Sequence, residues 1–270
     1  MAFLLLAGCA AGSPSASSQP QTPSTTLVSS SASSSLPSTT ATSQAAPSVV
    51  AIGDSYAAGI GAGGSSGPCA VSSLSWTSLV AQELGMSFLN LSCGGAVLAQ
   101  VRTQIELIPA SAELVLVNAG ANDADTGALL RGCRPGQPCE QAGRDYLARL
   151  PAVGRELEEV LRSVDAPGRR IILASYPLGA DSACAYLDDT HLKVLRQVSE
   201  RMYGELASTV ERLQTAGINI DFVGLKSFAG HDICAADPWM NGPQSILYMH
   251  PTAQGYRAIA DEALRVIKAD

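Results

Sequence analysis

Aromatic residues make up only 5% of the 270-residue chain, and no apolar run approaches the ~20 residues a membrane-spanning helix needs. A transmembrane protein is therefore not expected. Blocks of lysine and arginine are also missing, and the formal net charge is −7. Nucleic-acid surfaces need clustered cations to neutralise phosphates, so that class of partner is excluded. No Cys-x-x-Cys pair occurs, and the three histidines, His191, His231 and His250, are widely scattered. Nothing in that spacing points to a zinc site, and no metal is expected.

Charge is absent altogether before Asp54. Residues 10–47 are almost entirely Ser, Thr, Ala, Pro, Gln and Gly, a composition that cannot bury enough apolar surface to offset its ordering entropy. They read as a disordered tether. Residues 48–270 have an ordinary globular mixture and are long enough for one sizeable core, so a single folded domain is expected.

The first nine residues, Met-Ala-Phe-Leu-Leu-Leu-Ala-Gly-Cys, form an apolar run ending in small residues. Leu6-Ala7-Gly8-Cys9 resembles the lipobox of bacterial lipoproteins, which implies a signal peptide over 1–9 and lipidation of Cys9. The cationic residues that normally open a signal peptide are missing. A lipid on Cys9 would attach the domain to a membrane through the tether and place it outside the cytoplasm. Six cysteines then remain: Cys69, Cys93, Cys133, Cys139, Cys184 and Cys234. In an exported domain that number suggests three disulfides of unfixed connectivity. Pairing in sequence order, Cys69–Cys93, Cys133–Cys139 and Cys184–Cys234, closes modest loops.

Four apolar, β-branched runs read as buried parallel strands: residues 48–52, 113–118, 170–175 and, more weakly, 218–223. Between them lie helical periodicities. Leu195, Val198, Met202, Leu206, Val210 and Leu213 recur at steps of three and four within 187–213, and Tyr256, Ile259, Ala263 and Ile267 repeat the pattern after Pro251-Thr252. Shorter helices are expected around 76–84 and 146–161. Strands alternating with helices imply an α/β fold, a central parallel sheet covered on both faces. Ligands in such sheets bind beyond the carboxyl ends of the strands.

The strand ends carry the chemistry. The first runs into Gly53-Asp54-Ser55, a turn that can expose a serine hydroxyl beside a helix N-terminus. Another runs into Gly120-Ala121-Asn122-Asp123, where an asparagine amide can meet a developing negative charge. His250 precedes Pro251 just ahead of the last helix, in a position to serve as the base that a serine nucleophile requires.

Together these segments resemble the SGNH, or GDSL-type, hydrolases, and in particular an actinobacterial secreted esterase and lipase-like subgroup. Gly53-Asp54-Ser55 with Gly59 matches the first family block, Ser92-Cys93-Gly94-Gly95 the second, Gly120-Ala121-Asn122-Asp123 the third, and His250-Pro251 with Gly255 the last. The resemblance implies a three-layer α/β/α sandwich, flavodoxin-like in its sheet, and a serine ester hydrolase without a cofactor. Ser55 is its nucleophile and His250 its base. The oxyanion hole is made by Ser55, Gly95 and Asn122, with Gly94 as the fallback for the glycine.

One departure stands out. The family commonly carries an Asp three residues before the histidine, and here that residue is Leu247. The backbone carbonyl of Leu247 or Tyr248 is therefore expected to orient His250, giving a Ser-His dyad, with Asp237 as the alternative. His191 and His231 read as structural. The segments 61–73 and 232–248 are expected to wall the cleft. Lipid or short-chain acyl esters are the expected substrates of a monomeric enzyme. The alternatives are O-acyl groups of a cell-envelope glycan or, in a non-catalytic protein, the glycan itself.

Overall fold

The computed structural model describes residues 46–177, 179–180 and 184–269. The signal-peptide and Cys9 readings, and nearly all of the tether, concern residues outside these. Five parallel strands make the main sheet: β1 (Val49–Gly53), β4 (Phe88–Asn90), β5 (Leu114–Asn118), β6 (Arg170–Ala174) and β7 (Ile220–Val223), in the order β4-β1-β5-β6-β7. A two-stranded hairpin, β2 (Ser65–Ser66) with β3 (Val71–Ser72), stands apart. That order is the flavodoxin-like one, and its switch point lies between β1 and β5.

Every residue of β1 and β5 is buried, as their Val, Leu and Ile content requires when helices cover both faces. On one side α5 (Glu140–Arg162) packs against α6 (Asp189–Thr215), with α3 (Leu98–Ile105) and α4 (Thr126–Gly132) beside α5. On the other, α2 (Trp76–Leu84) packs against α7 (Ala253–Ile267). The helices start where side chains can cap them: Ser75 for α2, Asp188 for α6 and Thr252 for α7 each accept a backbone N–H of the first turn. α1 (Ser55–Ala58) is a single turn capped by Asp54, whose side chain accepts from the Tyr56 N–H at 3.0 Å.

Buried polar groups stitch the centre together. Trp76 Nε1 donates to Asn118 Oδ1 at 2.7 Å, and Asn118 Nδ2 donates to the Ala174 carbonyl at 2.8 Å, joining α2, β5 and β6. Gln104 of α3 accepts from the Gly53 N–H at 2.6 Å and donates to the Gly53 carbonyl at 3.0 Å. Three disulfides join Cys69 to Cys93, Cys133 to Cys139 and Cys184 to Cys234.

The short elements β2, β3, β4, α3 and α4 were not foreseen from the sequence. The helix expected at 146–161 begins earlier, at Glu140, and runs through Pro151. The weak strand at 218–223 shortens to Ile220–Val223.

Candidate active site

β1 and β5 stay paired through their last residues, Gly53 and Asn118, and beyond them the chain delivers Ser55 from one and Asn122 from the other. Gly53 makes the first turn possible. Its φ is +122°, and a Cβ there would lie 1.8 Å from the Asn118 carbonyl oxygen, so no larger residue fits between the two strands. Ser55 then opens α1, with its own backbone N–H at the helix N-terminus.

His250 reaches Ser55 from the other end of the chain. Its Nε2 lies 2.9 Å from Ser55 Oγ, a distance at which the ring can accept the hydroxyl proton. Burial holds the imidazole below its ordinary pKa, and the Leu247 and Tyr248 carbonyls oppose that effect. Neither carbonyl makes a geometrically complete hydrogen bond to Nδ1, which is buried without a partner among the described residues. The Leu247 oxygen accepts instead from the backbone N–H of His250, at 2.9 Å. These carbonyls therefore act on the ring as nearby dipoles rather than as a full orienting bond.

Among the described residues no carboxylate replaces them. Asp237 is turned to its own segment: its Oδ2 lies 3.4 Å from His231 Nδ1 and accepts from Trp239 Nε1 at 3.2 Å. His231 stacks on Trp239 with ring centroids 3.7 Å apart, and it is not among the residues lining the cavity at Ser55. His191 is buried at the start of α6, its ring against Asp188 Oδ1 at 2.8 Å and the Arg134 carbonyl at 3.1 Å.

Gly95 and Asn122 line the same cavity as Ser55. The Gly95 N–H has no acceptor among the described residues, whereas that of Gly94 donates to the Cys69 carbonyl at 3.1 Å. Asn122 Nδ2 donates to the Ala96 carbonyl at 3.0 Å, which fixes the amide and leaves its second hydrogen over. The neighbouring Asp123 carboxylate accepts from the Leu98 N–H at 3.0 Å, clamping the Asn122 turn to the start of α3.

A cavity of about 300 Å³ opens at these groups, lined by Ser55, Gly95, Asn122 and His250 at one end. Away from them its walls are largely apolar: Leu129 and Leu130 of α4, Leu195, Val198 and Met202 of α6, and Met240 and Met249. Tyr248 and Met240 come from the 232–248 segment, but nothing from 61–73 contributes. The expectation that 61–73 walls the cleft is corrected. That segment folds into the β2–β3 hairpin tied down by Cys69–Cys93, and α4, α5 and α6 supply the wall.

Next to Ser55 lies Asp54, 1% exposed. Its carboxyl accepts from the Tyr176 hydroxyl as well as from the Tyr56 N–H, yet burial pushes its pKa up from 3.8 to about 7. Tyr56 stands between these groups and the base. Its ring lies edge-on to Tyr176 at 4.9 Å and 5.6 Å from the His250 ring. The sequence assigns no role to Tyr56 or Tyr176, because their partners Met249 and Asp54 are remote in the chain.

Comparison with known proteins agrees with this geometry. Residues 51–258 match the GDSL-like lipase/acylhydrolase family. A lipase of Streptomyces rimosus is 30% identical over 254 residues, covering 87% of this chain and 90% of that protein. Lipase 1 of Streptomyces coelicolor is 26% identical, with 78% and 83% covered. The crystal structure of the extracellular Streptomyces rimosus lipase superposes with a TM-score of 0.73 at 25% identity, over 82% of this chain and 99% of that one. A phospholipase A1 from Streptomyces albidoflavus, at 24% identity and the same TM-score, shares the fold. The chain belongs to the GDSL-like lipase/acylhydrolase family and is a carboxylic ester hydrolase.

Proposed function

We propose that the protein hydrolyses acyl-lipid esters through an acyl-enzyme on Ser55, with His250 as base. The observation that carries this reading is the 2.9 Å Ser55–His250 contact at the mouth of an apolar cavity. His250 takes the Ser55 proton as Oγ bonds to the ester carbonyl carbon. The resulting oxyanion is met by the N–H groups of Ser55 and Gly95 and the Asn122 amide. Collapse of this intermediate breaks the bond to the alcohol, which leaves with the proton held by His250. Water then repeats the sequence on the acyl-enzyme, releasing the acid and restoring the Ser55 hydroxyl.

The cavity walls support an aliphatic acyl chain: a polar glycan would leave its hydroxyls unpaired against leucine and methionine side chains. The names of the Streptomyces relatives, lipase and phospholipase A1, point the same way. Three disulfides and the extracellular origin of one relative support export, and the Leu6-Ala7-Gly8-Cys9 sequence supports a lipid on Cys9. The domain is proposed to act as a monomer.

Ser55→Ala is expected to abolish hydrolysis of chromogenic esters with an unchanged circular dichroism spectrum. Retained turnover overturns the assignment. In the wild type, a preference for acetylated glycans over fatty-acyl esters overturns the lipid reading.

A further inference from the structure

The base of this site sits on a loop that closes on itself. Trp239 and Thr252, Met240 and Pro251, and Asn241 with Met249 and His250 pair across its neck: the Asn241 N–H donates to the His250 carbonyl at 2.8 Å and the Met249 N–H to the Asn241 carbonyl at 3.0 Å. The Asn241 side chain adds bonds to the His250 carbonyl at 2.9 Å and the Pro251 carbonyl at 3.2 Å. All of these hold the loop together. They do not hold it against α1, where Ser55 sits. Asn241 Nδ2 reaches the Gly61 carbonyl only at 3.5 Å, the limit of a hydrogen bond.

Besides the His250–Ser55 contact itself, one side-chain bond from α1 crosses that gap. The Tyr56 hydroxyl donates to the Met249 carbonyl, so the residue after the nucleophile is bonded to the residue before the base. Met249 is turned to make this possible, with φ +67°, a left-handed conformation that a long side chain adopts only when its surroundings impose it. The Tyr56 ring also lies against the His250 ring on one side and Tyr176 on the other. In a site where Nδ1 of the base has no complete hydrogen bond among the described residues, orientation has to come from the backbone.

We infer that Tyr56 is a positioning residue whose hydroxyl latches the His250 loop to the helix carrying Ser55, doing for the base what a carboxylate on Nδ1 would otherwise do. This rests on the proposed roles of Ser55 and His250. Tyr56 and Met249 also line the cavity, but loss of the hydroxyl alone leaves that apolar lining in place, so the latch bears on the chemical step.

The test is Tyr56→Phe, which keeps the ring and removes only the hydroxyl. With a soluble short-chain ester, kcat is expected to fall on the order of 10- to 100-fold, as for displacement of a reacting group by about 1 Å, with KM within about twofold of wild type. Labelling of Ser55 by a fluorophosphonate probe should slow in parallel. Tyr186→Phe is the control, because the Tyr186 hydroxyl likewise donates to a backbone carbonyl, that of Ile233, away from Ser55. It should keep wild-type kcat. Should Tyr56→Phe fold poorly, Asn241→Ala loosens the same loop from its other side and is expected to lower kcat with KM retained. Wild-type kcat and labelling rate in Tyr56→Phe overturn the latch, and so does a rise in KM with kcat unchanged. Absence of Ser55 labelling in the wild-type protein would instead overturn the reading of the site itself.

Discussion

At the scale of single residues, the least expected group is Asp54. It caps α1 and lies buried beside Ser55, a place where a carboxylate is costly to charge. Its pKa of about 7 in the fold, against 3.8 as an ordinary carboxyl, means that the folded state binds the proton over a range where the unfolded chain has released it. Stability therefore falls as pH rises from the lower value through the upper one, by roughly 4 kcal/mol if the whole displacement is realised. Asparagine keeps the cap acceptor and cannot ionise. Denaturant titrations at about pH 5 and about pH 9 should show the wild type losing stability over that interval and Asp54→Asn losing much less. Equal losses in the two proteins would mean that Asp54 does not carry the effect. In the sequence Asp54 was visible only as part of the Gly53-Asp54-Ser55 turn. Ser55, Asn122 and His250 were legible because each sits in a local pattern tied to a strand end or a proline. Tyr56, Tyr176 and Asn241 were not, because what they do depends on carbonyls and carboxyls brought near by the fold. Nor does spacing reveal that Nδ1 of His250 lacks a full partner, since that depends on where the Leu247 and Tyr248 carbonyls point.

Among the elements, the junction of β1 with α1 is the one the site depends on most. Gly53 is wedged against Asn118 of the neighbouring strand, while the Gln104 side chain closes both its N–H and its carbonyl from α3. Gly53→Ala would set a methyl group against a backbone oxygen at a φ alanine rarely adopts, so β1 and β5 would have to part. A loss of about 3 kcal/mol or more is expected, with esterase activity falling further than the folded fraction. Thermal denaturation beside activity at a temperature where the variant is folded will check it; a stable, fully active variant would contradict this account of the turn. The long elements were readable because periodicity accumulates over many residues, as in α6 and α7. β4, with three residues, and α4, with seven, are too short to show a period, and they are held by pairing with β1 and packing on α5. α4 supplies Leu129 and Leu130 to the cavity, a wall that the sequence alone places in the 61–73 segment.

Taken whole, the molecule is cross-linked unevenly. Cys69 and Cys93, Cys133 and Cys139, and Cys184 and Cys234 all lie in segments between a strand's carboxyl end and the helix that follows, or beside the short helix there. None of these disulfides braces the opposite end of the sheet. The chain between Cys69 and Cys93 includes α2 and leads directly into Gly94 and Gly95, so this bond holds the glycine half of the proposed oxyanion hole. A typical disulfide contributes about 2–4 kcal/mol, mostly by restricting the unfolded chain. The sheet and the α5–α6 and α2–α7 layers are built from apolar contacts that do not need the cross-links. Incubation with a thiol reductant should therefore lower the temperature of half-inactivation more than that of far-ultraviolet unfolding. Coincident shifts would show that the cross-links serve the whole fold equally. Where thiols stay reduced, the chain would thus be shaped before it is active, and with the acyl-lipid substrates proposed above it would spare the membranes of the cell that makes it until oxidation sets Gly95 in place.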